Sequence, residues 1–239
     1  MISIIIPLKD EKNYIFHIIE DISRKVRSEN EILIIYDYDG LFSEEEIQNI
    51  ENLKGGEISS IKILRNKYGS GALNAIKTGV EICKGDPVVF MTADLSDDPE
   101  TINRMIQKIS EGFDIVCGSR FSKGGRYFGG SILKRNLAKF ASLSLHYITG
   151  IPTKDITNTF KMFRKNVIQD LGIKGKYFEW SMRLTLEAFL KGYKISEVPC
   201  SWREIRKTRT NFKWRYILNY LMIYICYISR WIELRYKSY

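Results

Sequence analysis

Cysteine is scarce in this 239-residue chain, with Cys83, Cys117, Cys200 and Cys226 its four copies. Their scattered positions lack the paired spacing of a zinc site and read as buried, reduced thiols of a cytosolic protein. No secretory leader is expected, because the chain runs straight into a strand-like segment, Ser3–Ile6. Internal repeats and low-complexity linkers are missing too, so the length reads as one large domain or a domain with an appendage. Helix-turn-helix, zinc-finger and RNA-recognition signatures are absent, which removes nucleic acid from the expected partners. Even the most apolar segment, 214–236, has an uninterrupted apolar core shorter than the about 20 residues that span a bilayer.

A hydrophobic share of 44% and a charged share of 27% describe a folded globular protein. The formal charge is +9 and lopsided: from Pro199 onward nine basic residues face two acidic ones, leaving +7 there. Such a tail favours a phosphate-bearing partner, either anionic lipid or a phosphorylated substrate. Within it, Ile217, Leu221, Ile225 and Ile228 form one helical stripe, with Tyr216, Tyr220, Tyr224 and Tyr227 beside it. Basic flanks, Trp214 and Trp231 fit a helix lying in a membrane interface. Packing on the domain, or on a second copy in a homo-oligomer, fits as well, and these readings are compatible.

Strand-like runs alternate with helical patterns through the first half. Strands are expected at Ser3–Ile6, Glu31–Tyr36, Ile61–Leu64, Pro87–Met91 and Asp114–Cys117. Helices are expected at 14–27, 71–83 and 100–110, with an acidic segment at 43–52. The runs are short and do not alternate, as parallel strands covered on both faces require. Residues 1–120 therefore read as a Rossmann-like nucleotide-binding half with right-handed crossovers. Beyond Arg120 the pattern changes. A Gly-rich loop (Gly124, Gly125, Gly129, Gly130) precedes a helix at 133–148, a strand at 159–163, a helix at 180–190 and a strand at 194–198. Residues 121–212 read as an acceptor half, and 213–239 as a basic aromatic C-terminal helix.

The most informative stretch is 88–100, where an apolar run ends in Asp94 and a polar turn with two more acids leads to Pro99–Glu100. A carboxylate at the carboxyl end of a buried parallel strand lies in the crevice where open α/β sheets bind ligands. A hard oxygen ligand there suits Mg²⁺ or Mn²⁺ bridging a diphosphate. The plainer reading is a strand-to-helix turn whose acids cap the helix.

Taken in order, the motifs resemble family 2 glycosyltransferases of the GT-A fold, in the dolichyl-phosphate mannosyltransferase-like branch. The resemblance covers about residues 2–212. It implies a mixed, mostly parallel sheet flanked by helices. Residues 3–11 resemble the family's opening strand, which places Pro7, Asp10 and Glu11 near the donor's base and ribose; Asp10 stands where Asn is more usual. Asp37 falls where the family carries a base-binding carboxylate, and Gly69–Ala72 resembles the Gly-rich turn beside the donor. Physically, such glycines let backbone approach closely, and a helix N-terminus favours an anion. The resemblance further gives Arg120 a place facing the donor phosphates, and Lys134 and Arg135 a place near an acceptor phosphate. Residues 155–161 match the segment beneath the acceptor, and Phe178, Glu179 and Ser196–Pro199 match later elements.

Two departures stand out. The family's Asp-Ala-Asp metal motif is Thr92-Ala93-Asp94 here, so one charged ligand is missing. Asp94 is the expected metal ligand, Ser96 falls where the family can place another, and Thr92 can contribute its hydroxyl or a bridging water. Secondly, the basic loop after Trp202 lacks the family's Arg, Gly and Ser, whose places fall on Ile205, Thr208 and Thr210. Arg203 or Arg206 would supply the charge from a neighbouring position.

The resemblance implies an inverting transfer from a nucleotide-diphosphate sugar, with Asp94 and a divalent metal on the diphosphate and Arg120 on the leaving group. A polyprenyl phosphate acceptor needs no strong base. A glycan hydroxyl does, and Glu179 is then the candidate. The expected location is the cytoplasmic face of a membrane, bound peripherally. Two alternatives stay open: a metal-impaired relative that binds anionic membrane through its tail, and a sugar-phosphate nucleotidyltransferase. The latter wants a longer Gly-rich loop with an Arg or Lys directly after the first strand, which Lys9 and the Pro-Leu-Lys-Asp stretch at 7–10 do not supply.

Overall fold

The computed structural model describes residues 1–175, 179–204 and 214–236, the side chains of 214–217 excepted. The described residues form nine strands: β1 (Ile2–Leu8), β2 (Asn30–Tyr36), β3 (Ile58–Arg65), β4 (Val88–Phe90), β5 (Ile115–Ser119), β6 (Arg126–Phe128), β7 (Lys161–Phe163), β8 (Ile195–Pro199) and β9 (Ser201–Arg203). Eight α-helices accompany them: α1 (Ile15–Lys25), α2 (Glu44–Glu51), α3 (Ala72–Ile82), α4 (Glu100–Ser110), α5 (Ile132–Thr149), α6 (Lys165–Leu171), α7 (Trp180–Leu190) and α8 (Trp214–Tyr236).

Seven strands make one sheet in the order β3-β2-β1-β4-β7-β5-β8. All run parallel except β7, which pairs antiparallel with both β4 and β5. The mixed, mostly parallel sheet is therefore as expected. β7 and β8 come from the second half of the chain and complete the sheet begun by the first. β1 and β2 are almost wholly buried, which is why their sequences are continuous apolar runs. On one face α1 buries Ile15, Ile18, Ile19 and Ile22, spaced i, i+3, i+4, i+7, together with apolar residues of α2 and α4. The other face is covered by α3, α5, α6, α7 and α8.

The expected strands and helices are present, with ends shifted by up to three residues: the helix expected over 14–27 spans Ile15–Lys25, and the strand expected over 61–64 is Ile58–Arg65. Three elements have no counterpart in the sequence reading. β6 and β9 are three-residue, partly exposed strands that pair with each other in a sheet of two, and α6 has seven residues, too few to show a period.

α8 turns its Tyr220, Ile223, Tyr224, Tyr227 and Ile228 to the domain core, so the helix does pack on the domain. The expected stripe splits, because Ile228 faces inward while Leu221 and Ile225 are exposed, as are Leu218, Met222 and Ile232. α5, which packs against α8, likewise exposes Ile132, Leu133, Leu137, Phe140 and Ile148. Among the described residues no helix is long and apolar enough to cross a membrane. All four cysteines are free; three are buried as expected, but Cys226 is exposed. Its position on α8 lies outside the inward 223–224–227 set, which corrects the expectation of four buried thiols.

Candidate donor and acceptor site

β1 is flanked by β2 on one side and β4 on the other, so the chain leaves β1 in opposite directions and opens a crevice at its carboxyl end. Pro7 lies on the β4 side of β1, two residues past Ile5, whose carbonyl accepts from Met91 N at 3.1 Å. β4 has ended there, so the missing N–H of proline costs no ladder bond. The turn after β1 is closed by Glu11, whose carboxylate accepts from the backbone N–H groups of Lys9 (3.0 Å) and Asp10 (2.9 Å). Asp10 accepts from the Tyr38 hydroxyl at 2.7 Å.

Asp37, just beyond β2, organises the Gly-rich turn. Its carboxylate accepts from Asn66 Nδ2 (3.0 Å), Ser70 Oγ (3.0 Å) and Gly71 N (2.9 Å). Gly69 at φ +82° and Gly71 at φ +123° are in backbone regions that side chains avoid, and nothing lies within 4 Å of a Cβ built at either. Conformation, not space, requires glycine here. Asp37→Ala should cost about 1 kcal/mol of stability by unpairing the buried Asn66 amide and the part-buried Gly71 N–H, read as a lowered urea midpoint, and should weaken nucleotide binding through the loosened turn.

The loop after β4 carries the acids. Asp94 accepts from Ser96 N at 3.1 Å through Oδ1. Leu95 between them has φ +60°, the one non-glycine residue with positive φ among the described residues, a conformation costly for a branched side chain. It bends the loop back on itself. Ser96 is buried and its hydroxyl lies 3.0 Å from Thr92 Oγ1. Thr92 in turn donates its N–H (3.0 Å) and hydroxyl (2.8 Å) to Oδ2 of Asp97, which is 4% exposed. Burial pushes the Asp97 carboxyl up to about 6, against the Thr92 hydrogen bonds, which lower it; Asp94 raises it further. Ala93 is buried beneath the loop. The loop is tied to β9 by an antiparallel bridge between Asp97 and Trp202 and by Arg203 N donating to Ser96 O at 3.1 Å.

Arg120, after β5, is clamped by Asp155: Nε to Oδ2 at 2.7 Å, Nη2 to Oδ1 at 2.9 Å and backbone N to Oδ2 at 2.9 Å. Nη2 also donates to Thr157 Oγ1 at 3.2 Å. The guanidinium lies against the rings of Phe121 and Tyr127, 5.3 and 5.1 Å from their centroids. Of its five N–H donors, the two on Nη1 have no partner among the described residues.

Lys134 and Arg135 sit in the first turn of α5, capped by Ser131. Arg135 and Arg120 both act to lower the Tyr127 phenol, although burial, the largest influence, leaves it raised. Arg203 is exposed on β9, its guanidinium 5.3 Å from the Phe128 ring. Glu179 is buried at the start of α7. Its charge adds to burial in pushing up the phenol of Tyr220 on α8. Phe178, Arg206, Ile205, Thr208 and Thr210 lie outside the described residues. Two residues the sequence reading passed over are prominent: Asp97, quoted only as one of two further acids in the turn, and Tyr127, which carries no motif of its own.

A mostly parallel sheet with one antiparallel strand inserted beside the acid-bearing strand is the GT-A glycosyltransferase fold. Solved structures agree: glucosyl-3-phosphoglycerate synthase from Mycobacterium tuberculosis in complex with UDP superposes with a TM-score of 0.72 at 14% identity, covering 96% of this chain and 80% of that one. A complex of the same enzyme with Mn²⁺, UDP-glucose and phosphoglyceric acid gives 0.68 at 14% identity, covering 94% and 79%. The family model described as Glycosyl transferase family 2 matches residues 3–172, and the chain belongs to that family. Among curated relatives, dolichol-phosphate mannosyltransferase of Pyrococcus furiosus is 27% identical over 239 residues, covering 96% of this chain and 64% of the relative. Undecaprenyl-phosphate 4-deoxy-4-formamido-L-arabinose transferase of Pseudomonas fluorescens is 29% identical over 170 residues, covering 70% and 48%. The chain thus spans about half to two-thirds of the length of these relatives.

Proposed function

We propose that the chain is an inverting glycosyltransferase that moves a sugar from a nucleotide-diphosphate sugar to a polyprenyl phosphate. The observation that carries this reading is that Asp37 with its Gly turn, the Asp94 loop and Arg120 all follow the carboxyl ends of mutually parallel strands, β2, β4 and β5, on the same edge of one sheet. Pro7, Asp10 and Glu11 would line the donor's base and ribose from the end of β1, with Ala93 and Thr92 beneath the diphosphate.

A Mg²⁺ or Mn²⁺ ion fits the donor set on offer. Among the described residues no three His, Cys, Asp or Glu side chains converge, but hard cations of this size are ordinarily held by one or two carboxylates together with substrate phosphate oxygens. Asp94 and Ser96 would hold it, and when bound it would neutralise charge on the diphosphate. Arg120, braced by Asp155, would offer its Nη1 edge to the leaving phosphate. The acceptor oxygen attacks the anomeric carbon from the face opposite the departing nucleoside diphosphate.

Burial of Glu179 disfavours a base reaching a glycan hydroxyl, whereas a phosphate acceptor is already an anion. Lys134, Arg135 and Arg203, with Arg206 beyond the described residues, would hold that anion. The exposed apolar residues of α5 and α8 would meet an anionic, cytoplasmic membrane surface; a homo-oligomer through α8 would use the same face. A membrane-binding module without transfer activity is the second reading, favoured by Thr92 in the metal motif. The test is a binding screen of UDP- and GDP-sugars with and without Mn²⁺, followed by sugar transfer to a polyprenyl phosphate in mixed micelles. Binding of one nucleotide class and transfer of its sugar to the lipid are expected; no nucleotide binding under any condition would sink the enzyme reading.

A further inference from the structure

Lys161, on β7, is a cation sealed in the core, and the transfer as described leaves it without a task. It is 0% exposed, and among the described residues no carboxylate hydrogen-bonds it. Its Nζ donates instead to Ile156 O at 2.8 Å, Ser181 Oγ at 3.0 Å and Ser181 O at 3.3 Å. Burial pushes the ammonium down to about 8; Cys117 and Asp155 raise it and Arg120 lowers it further, so the group is charged at neutral pH. α7 offers it the neutral Ser181, and β4 sets the neutral Phe90 opposite it. A methionine would fill similar space without a buried charge, and apolar replacements of buried ions are often neutral or stabilising. The ammonium is therefore costly as packing, and its use lies in what it holds together.

Its acceptors belong to two segments. Ser181 stands in the first turn of α7, where its carbonyl also accepts from Thr185 Oγ1 at 2.8 Å and its hydroxyl donates to Asn158 O at 3.3 Å. Ile156 follows Asp155, and Lys161 is the only donor to its buried carbonyl among the described residues. Loss of the ammonium therefore falls on the Asp155 turn, since Ser181 keeps other partners. That turn carries the carboxylate that receives Nε, Nη2 and the backbone N–H of Arg120, and the Thr157 hydroxyl that also accepts from Nη2. The guanidinium keeps its place only while the turn keeps its own. Resting on the transferase reading above, we propose that Lys161 is a positioning residue for the transfer: by tying the Asp155 turn to α7, it fixes the Arg120 guanidinium that would face the leaving phosphate.

The test measures sugar transfer to a polyprenyl phosphate in mixed micelles, from the UDP- or GDP-sugar that the binding screen selects, with nucleotide affinity and urea midpoint on the same preparations. Lys161→Met should lower kcat roughly 10- to 100-fold, the cost of displacing a reacting group by about 1 Å, while nucleotide affinity stays within a few-fold. Arg120→Lys keeps a cation beside Asp155 but loses the second edge; in that background Lys161→Met should add almost nothing to the loss of kcat. A merely structural lysine gives the opposite pattern, with kcat and affinity falling together and the two losses multiplying. If Lys161→Met does not fold, Ser181→Ala, which removes one acceptor of the ammonium, carries the same comparison; a several-fold loss of kcat, erased by Arg120→Lys, is expected. Wild-type kcat in the folded variant, or the structural pattern, overturns the assignment while leaving the transferase reading intact. A wild type that transfers no sugar overturns both.

Discussion

Replacing Asp155 by alanine should destabilise the fold by about 3–5 kcal/mol, the cost of stripping one member from a buried ion pair. The Asp155 side chain is 0% exposed and that of Arg120 is 11% exposed, so neither can trade its partner for bulk water. Asp155 accepts three hydrogen bonds from Arg120, one of them from its backbone N–H, and so fixes both the side chain and the exit of β5. Without it the guanidinium stays beside the Phe121 and Tyr127 rings with its charge uncompensated. Arg120→Ala should cost somewhat less, because Asp155 keeps the Arg120 backbone N–H and the Thr157 hydroxyl as donors. A double replacement by apolar residues of similar volume should recover much of the loss, since the penalty lies in the orphaned charge and not in the missing pair. Urea unfolding of the three variants measures this; wild-type stability in Asp155→Ala would mean that the pair is not buried in solution. Arg120→Lys should not substitute, because an ammonium cannot chelate Asp155 and present a second edge at once.

Much of this arrangement was legible in the sequence, and the rest was hidden for definable reasons. β1, β2 and α1 announced themselves because burial on both faces gives unbroken apolar runs and one-face burial gives an i, i+3, i+4, i+7 set. Asp94 was legible because a carboxylate ending such a run has few other places to be. β6, β9 and α6 are too short and too exposed to leave a pattern. Partnerships across long separations were also illegible: nothing local in residues 114–121 says that Arg120 will be met by Asp155, 35 residues on. The Thr92–Asp97 contact spans only five residues, but it depends on the left-handed turn at Leu95, which no propensity would assign to leucine. For α8, helical spacing found the helix but not its inward face. Apolar residues surround it, and only its contacts with the core separate Tyr220, Tyr224 and Tyr227 from Leu221 and Ile225.

Asp94→Asn should abolish metal-dependent donor binding and lower sugar transfer about 10³-fold or more, equivalent to at least about 4 kcal/mol of lost transition-state stabilisation. The substitution is nearly isosteric, so the Ser96 N–H retains an acceptor in the Asn carbonyl and the loop keeps its bend. Stability should therefore change by less than about 1 kcal/mol, because Asp94 is only partly buried and forms no ion pair among the described residues. That split between a large functional loss and a small structural one separates Asp94 from Asp155, whose removal damages both. The effect should concentrate in kcat as well as in donor affinity, since the charge on the leaving diphosphate grows as the glycosidic bond breaks. Measuring kcat, donor KM and the urea midpoint on the same preparation tests all three parts. If Asp94→Asn transferred sugar at the wild-type rate, the diphosphate would have to be neutralised by basic side chains alone, with Arg120 and the acceptor-side cations carrying the chemistry.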